Sequence, residues 1–309
     1  MNFFPPLVLA AALTCGAQAQ PPATPGGMPV RPIPAIEHVL VISVDGLRPD
    51  RALLADMPTL RAMVREGAYT FWARTTAVSI TLPSHTSMVT GVTPRKHGIE
   101  WNRDLPFSEP VYPKVPTVME LATRAGYVTG FAAGKSKFTT LAKPGTITHA
   151  WITPSEKATN DDVVAHAVGI ITAHRPAFMF VHFPDVDNVG HIAGWGSRAQ
   201  FTAIEKTDTH LAQIFAALDR AGLRASTFVV LTADHGGAGL THGPEDARSR
   251  HIPWIAVGPG VRKNFDLTQL DPLQVNTEDT AATALWLLGL ELSPRLDGKP
   301  VREAFEGQN

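Results

Sequence analysis

The sequence predicts an α/β fold with a mostly parallel central sheet and helices on both of its faces. Two observations predict it. His38–Val44 (HVLVISV) is a short, continuous, largely β-branched apolar run of the kind buried on both sides in a parallel sheet. Similar runs recur along the chain, with stretches of helical periodicity between them, and strands joined this way return by right-handed crossovers that cover both faces. After the first run, strands are expected at Tyr127–Ala133, Ala177–Phe183, Thr227–Thr232 and Ile252–Val257. Helices are expected at Met57–Glu66, His85–Thr90, Thr117–Arg124, Asp161–His174, Arg198–Ala221 and Asp279–Leu290. No internal repeat interrupts this order, so residues 36–309 read as one domain.

What precedes that domain has a different composition. Phe3 to Ala19 carries no charge, runs through LVLAAALT and ends in Ala17-Gln18-Ala19, which has the form of a signal peptidase site. Residues 1–19 are therefore expected to be a signal peptide, and the mature protein to be exported, periplasmic or secreted. The apolar stretch is too short to span a bilayer comfortably, so no stable membrane span is expected. Cys15, the one cysteine, raises a lipoprotein alternative, but Thr14 before it is larger than such sites favour. Residues 20–35 (QPPATPGGMPVRPIPA) are rich in Pro and Gly and read as a linker.

Of the 309 residues, 44% are hydrophobic and 18% charged, which suits a large core, and the formal net charge is −1. There is no basic stripe for a nucleic acid or an anionic membrane. A small-molecule substrate fits better, and the oligomeric state is not legible.

Polar clusters fall at or just after the expected strand ends, where sheets of this class place their ligands. Asp45 follows HVLVISV, Asp187 and His191 follow the Ala177–Phe183 run, and Asp234 and His235 follow Thr227–Thr232. His242 lies seven residues beyond His235, and Thr81 stands just before an expected helix. Each alone reads equally well as a cap or surface residue. Together they supply three carboxylates and three imidazoles, donors that suit zinc at about 2.0–2.2 Å. Six such ligands divide into two sites of three. Two cations roughly 3.5–4 Å apart can hold the attacking and leaving oxygens of an in-line displacement at phosphorus.

The segments VISVDGLRPD, TLPSHTSMVTGVTPRKHGIEWN, FPDVDNVGH, LTADHGG and THG followed by IPWIAVGPG together resemble the nucleotide pyrophosphatase/phosphodiesterase (type I phosphodiesterase) branch of the alkaline phosphatase superfamily. They keep that family's order from residue 39 to about 260. The resemblance implies an alkaline phosphatase-like, three-layer α/β/α domain. It implies that Asp45, Thr81, Asp234 and His235 hold one metal ion and Asp187, His191 and His242 the other. It also makes Thr81 the nucleophile of a phospho-threonine intermediate and Asn102 a donor to a phosphoryl oxygen. Two divalent ions follow, with zinc the expected metal, although Mn²⁺ and Fe suit the same donors. Asp185 and His251 compete with Asp187 and His242 on chemistry, but the spacing Asp187-x-x-x-His191 and the eleven residues from His242 to Pro253 match the family. A metal would lower the pKa of the Thr81 hydroxyl, and a helix N-terminus would add main-chain N–H groups beside the phosphate.

The substrate is less legible. Nucleotide-cleaving relatives carry an aromatic residue after the nucleophile and another before the Asp-x-x-x-His motif. Here those positions are Leu82 and His182, which puts a nucleotide substrate in doubt. Lys135 and Lys137 (GKSKF) are an expected anion clamp, resembling the Lys-x-Lys of phosphonoacetate hydrolases. The reading is thus a two-metal hydrolase of phosphodiesters, with a phosphomonoesterase or a C–P hydrolase as alternatives. No C/S-x-P-x-R motif surrounds Thr81, which argues against a sulfatase. Outside enzymes, the rival is a metal-stabilised binding protein.

Overall fold

The computed structural model describes residues 29–103, 110–155, 157–243 and 246–308. The expected signal peptide, Cys15 and most of the linker lie outside the described residues. In chain order the elements are β1 (His38–Val44), α1 (Pro49–Leu54), α2 (Pro58–Glu66), β2 (Ala68–Arg74), α3 (Thr81–Thr90), α4 (Pro94–His97), α5 (Val118–Arg124) and β3 (Thr129–Ala133). There follow β4 (His149–Ile152), α6 (Asn160–His174), β5 (Phe178–Phe183), α7 (Asp185–Ala193), α8 (Arg198–Arg220) and β6 (Thr227–Thr232). The chain ends with α9 (Ala247–Arg250), β7 (His251–Val257), β8 (Phe265–Asp266) and α10 (Thr277–Leu287).

One sheet of eight strands has the order β4-β3-β5-β1-β6-β7-β2-β8. All its strands run the same way except β7, which is antiparallel to both β6 and β2. Every residue of β5 and β6, and all but the first of β1, is buried, because helices cover both faces. The helices form two sets. α2, α6 and α7 pack on α8, whereas α3 and α5 pack on α10. The expected three-layer α/β/α arrangement with a mostly parallel sheet is what the chain forms.

Local chemistry sets the helix starts. Ser197 accepts from the Gln200 N–H to begin α8, and reciprocal capping boxes, Thr159 with Asp162 and Asn276 with Asp279, begin α6 and α10. The five expected strands and six expected helices are all present, with ends shifted by a few residues. α3 starts earlier than expected, at Thr81 itself, so the threonine is the first residue of the helix. β2, β4 and β8 add strands at the sheet margins, and α1, α4, α7 and α9 add short helices. No helix among the described residues is long and apolar enough to cross a membrane.

His97, at the end of α4, ties this layer together. It is wholly buried; its Nε2 lies 3.1 Å from Ser87 Oγ and its Nδ1 accepts from the Ile99 N–H at 3.1 Å. Burial pushes the imidazole down to about 4 from an ordinary 6.5. A histidine with a depressed folded pKa is neutral in the native state, so its contribution is complete above 6.5 and is lost as pH falls from 6.5 towards 4. The loss amounts to roughly 3 kcal/mol at the acid end, taking 1.36 kcal/mol for each pKa unit. Urea denaturation between pH 7 and pH 4 is expected to show a shallower fall in stability for His97→Gln than for the parent chain.

Candidate metal centre and active site

The three central strands β5, β1 and β6 end side by side, and the chemistry lies just beyond them. Asp45 follows β1, anchored by its N–H on the Phe183 carbonyl, and Asp234 follows β6 after one alanine. Because β7 returns antiparallel beside β6, residues 233–243 and 246–250 stay on this end of the sheet. That loop brings His235 and His242 to the site. β5 leads into α7, where Asp187 and His191 stand one turn apart on a single face. Asp45, Asp187, Asp234 and His235 are buried; His242 is partly buried, and His191 is 42% exposed at its side chain.

The three histidines share one arrangement. Nδ1 of His235 lies 2.8 Å from the Gly236 carbonyl, Nδ1 of His242 2.8 Å from the Ser79 carbonyl, and Nδ1 of His191 2.9 Å from the Leu240 carbonyl. A carbonyl only accepts, so each ring donates through Nδ1, which in the neutral ring leaves the lone pair on Nε2. The Ser79 carbonyl comes from a residue in the left-handed region, φ +47°, a conformation uncommon for serine. Each Nε2 faces a carboxylate. His235 Nε2 is 3.1 Å from Asp234 Oδ2 and 3.4 Å from Asp45 Oδ1, and His191 and His242 Nε2 are 3.4 and 3.8 Å from Asp187 Oδ1.

Those same carboxylate oxygens, Asp45 Oδ1, Asp187 Oδ1 and Asp234 Oδ2, are buried and have no hydrogen-bond partner. Orphaned buried carboxylate oxygens are costly unless a cation or donor meets them. Burial, together with the Asp45 and Asp187 carboxylates, pushes the Asp234 carboxyl well above the usual range. Burial also acts on Asp45 and Asp187, but the Lys135 ammonium and neighbouring histidines hold both below it. Burial lowers His235, to about 4, and His242, so both rings are neutral at pH 7 and able to bind a metal through Nε2. Two groups of donors result: Asp45 with Asp234 and His235, and Asp187 with His235 and His242. The residues present fit metal ions. His235 faces both groups, whereas the sequence assigned it to one. Exposed His191 lies beside Asp187 outside these tight groups.

Thr81 lies almost wholly buried beside this centre, with Oγ1 3.4 Å from His235 Nε2. The expected ring of helix N–H donors is largely taken. Leu82 N–H donates to Asn102 Oδ1, Pro83 has none, and Ser84 N–H donates to the Ile80 carbonyl. Asn102 Oδ1 also accepts from Lys137 Nζ at 3.2 Å, so the oxygen is engaged and the amide nitrogen is the side chain's donor. Leu82 and His182, expected at the substrate, are both wholly buried. Leu82 joins the core, and His182 Nε2 lies 2.9 Å from Asp45 Oδ2 while its Nδ1 accepts from Gly134 N–H. Lys137 is partly exposed, but Lys135 is buried, with Nζ on Asp45 and Asp187 rather than at the surface.

The rivals sit elsewhere. Asp185 begins α7 and accepts no ligand histidine, its carboxyl raised by burial. His251 stacks on Trp72 at 3.8 Å. Two further residues support the centre. His85 bridges Ser43 Oγ and the Thr81 carbonyl, both at 2.8 Å, and lies 3.4 Å from Asp234 Oδ2. Trp195 donates to the Gly46 carbonyl at 2.9 Å and meets the His191 ring edge to face. Pairing Trp195 with glycines 46, 190 and 237 needed the fold, although the glycines of DGL, VGH and DHGG were the available signal.

The type I phosphodiesterase/nucleotide pyrophosphatase model matches residues 39–249, about two thirds of the sequence. The chain belongs to that family. Among curated members, human ectonucleotide pyrophosphatase/phosphodiesterase family member 5 is 24% identical over 218 residues, covering 66% of this chain and 45% of that protein. Mouse family member 7 is 25% identical over 248 residues, 73% of this chain and 55% of that protein. The chain spans about half the length of these relatives. Among solved structures, an inactive variant of murine family member 5 in complex with AMP superposes with a TM-score of 0.74 at 17% identity, over 87% of this chain and all of that one. At that identity the likeness shows a shared fold.

The contact between Gly237 and Trp195 makes a sharp test of the site's packing. A Cβ on Gly237 would lie 2.3 Å from Trp195 Cε2. Gly237→Ala is expected to force the indole off its seat and cost about 1–3 kcal/mol, read as a lower urea midpoint at unchanged slope.

Proposed function

We propose that this family member is an exported two-metal hydrolase of phosphodiesters that works through a phospho-threonine intermediate at Thr81. One observation carries the reading. Three buried carboxylate oxygens without hydrogen-bond partners face three histidine Nε2 atoms, with the Thr81 hydroxyl beside them. Asp45, Asp234 and His235 would hold one ion with Thr81, and Asp187, His191 and His242 the other. Bound zinc would act as a Lewis acid on the phosphoryl oxygens and lower the pKa of the threonine hydroxyl.

The chain's own residues supply the rest. Thr81 Oγ1 bonds to phosphorus as the bond to the leaving alkoxide breaks on the opposite side. The hydroxyl proton leaves Thr81, and the departing alkoxide takes up a proton. Water then replaces Thr81 at phosphorus, restoring the hydroxyl and releasing a phosphomonoester. Asn102 has its Oδ1 fixed by Leu82 and Lys137, so its amide N–H is aimed to donate to a phosphoryl oxygen as charge grows there. Burial of Leu82 and His182 supports a substrate other than a nucleotide, since neither offers a face for a base.

In zinc-loaded protein, Thr81→Ala is expected to abolish turnover of bis-p-nitrophenyl phosphate while leaving about two zinc ions per chain. Turnover that survives the change removes Thr81 as nucleophile. The parent protein is expected to have a higher kcat/KM for bis-p-nitrophenyl phosphate than for p-nitrophenyl phosphate. The reverse order would make it a phosphomonoesterase on the same centre.

A further inference from the structure

Lys135 touches both donor groups through their carboxylates. It follows Gly134 at the end of β3 and is 4% exposed. Its Nζ lies 2.7 Å from Asp45 Oδ2 and 2.6 Å from Asp187 Oδ2. Both are charge-assisted contacts of the strong, short kind. They divide each carboxylate in two. Oδ2 of both residues points to the ammonium, and Oδ1 of both, lacking any hydrogen-bond partner, points to the histidines. His182 reinforces the division, because its Nε2 is also on Asp45 Oδ2 and its tautomer is set by the Gly134 N–H at Nδ1.

Charge points the same way. Asp45, Asp187 and Asp234 bring three carboxylates into a buried site, and the Lys135 ammonium is set between the first two. An ammonium committed to two carboxylates in the interior is poorly placed to leave them for a substrate anion, since withdrawing it strands both charges.

We infer that Lys135 is a fixed positioning cation of the metal centre, tying one carboxylate of each donor group together from behind so that Oδ1 of each faces a metal. The inference rests on the reading of a metal centre given above. It replaces the paired Lys135–Lys137 anion clamp with two separate tasks, and Lys137 alone stays near the reacting end of the site, on Asn102. It also couples the two groups, because one side chain orients a ligand of each.

The test is zinc affinity, measured by competition with a chromophoric chelator on metal-stripped full-length protein, alongside KM for bis-p-nitrophenyl phosphate at saturating zinc. Lys135→Met is expected to bind zinc about 10- to 100-fold more weakly in both groups, the usual effect of losing a partner behind a ligand. KM should stay unchanged once zinc saturates. Unchanged zinc affinity with a raised KM would make Lys135 a substrate clamp and overturn the inference. Tighter zinc binding would overturn it too, by showing that the ammonium competes with the metal. A parent protein that binds no zinc would sink the metal centre itself, and Lys135's part with it. Should Lys135→Met fail to fold, a crystal structure of the zinc-loaded parent decides. Nζ still on both Oδ2 atoms supports the inference, and Nζ turned to the mouth of the site overturns it.

Discussion

Three carboxylates are brought within reach of one another, out of water, at the ends of β1, β5 and β6, and much of the surrounding structure answers the repulsion this creates. Asp45 and Asp187 are held by Lys135, and Asp45 also by His182. Asp234 has one oxygen on the Gly46 N–H at 3.1 Å, while the other has no hydrogen-bond partner. Carboxylates are rarely buried without partners, and their cost rises as the local dielectric falls. A protein retains such a cluster when a cation completes it.

The sheet makes the cluster possible. Parallel strands buried on both faces bring their carboxyl ends to one edge, so residues distant in the chain meet without long loops. The single reversed strand, β7, has a specific consequence. It returns the chain beside β6 and keeps His235 and His242 above the strand ends, where a crossover helix would have carried the chain away. The histidines are then locked by main-chain carbonyls of Gly236, Ser79 and Leu240, so ring orientation is set by the backbone. Trp195 fills the space left by three glycines and braces His191, the most exposed of the three.

How far the sequence reveals this depends on which property carries the signal. β1, β5 and β6 were legible because burial on both faces leaves an unbroken apolar run, and α6, α8 and α10 because each helical stretch is long. β2 and β4 were not, since each is partly exposed at the sheet margin and its pattern is diluted. α7 reads as a loop because Asp, Asn and Gly are poor helix formers, yet its helical turn is what aligns Asp187 with His191. The metal-donor residues and Thr81 were legible as a set, since they cluster after strand ends in motifs of fixed order. Their partners were not. Leu82, His182 and Lys135 occupy positions that suggested substrate contact, but all three point inward. Spacing along AAGKSKF or FVHFPD says nothing about which way a side chain turns once β3 and β5 are paired.

We propose that the orphaned carboxylate oxygens and the free Nε2 atoms are ligands of two metal ions. Anomalous diffraction at the zinc edge from zinc-loaded crystals tests it most directly. Two peaks roughly 3.5–4 Å apart are expected, one against Asp45, Asp234 and His235 and the other against Asp187, His191 and His242. A single peak, or metal bound away from these residues, would contradict it.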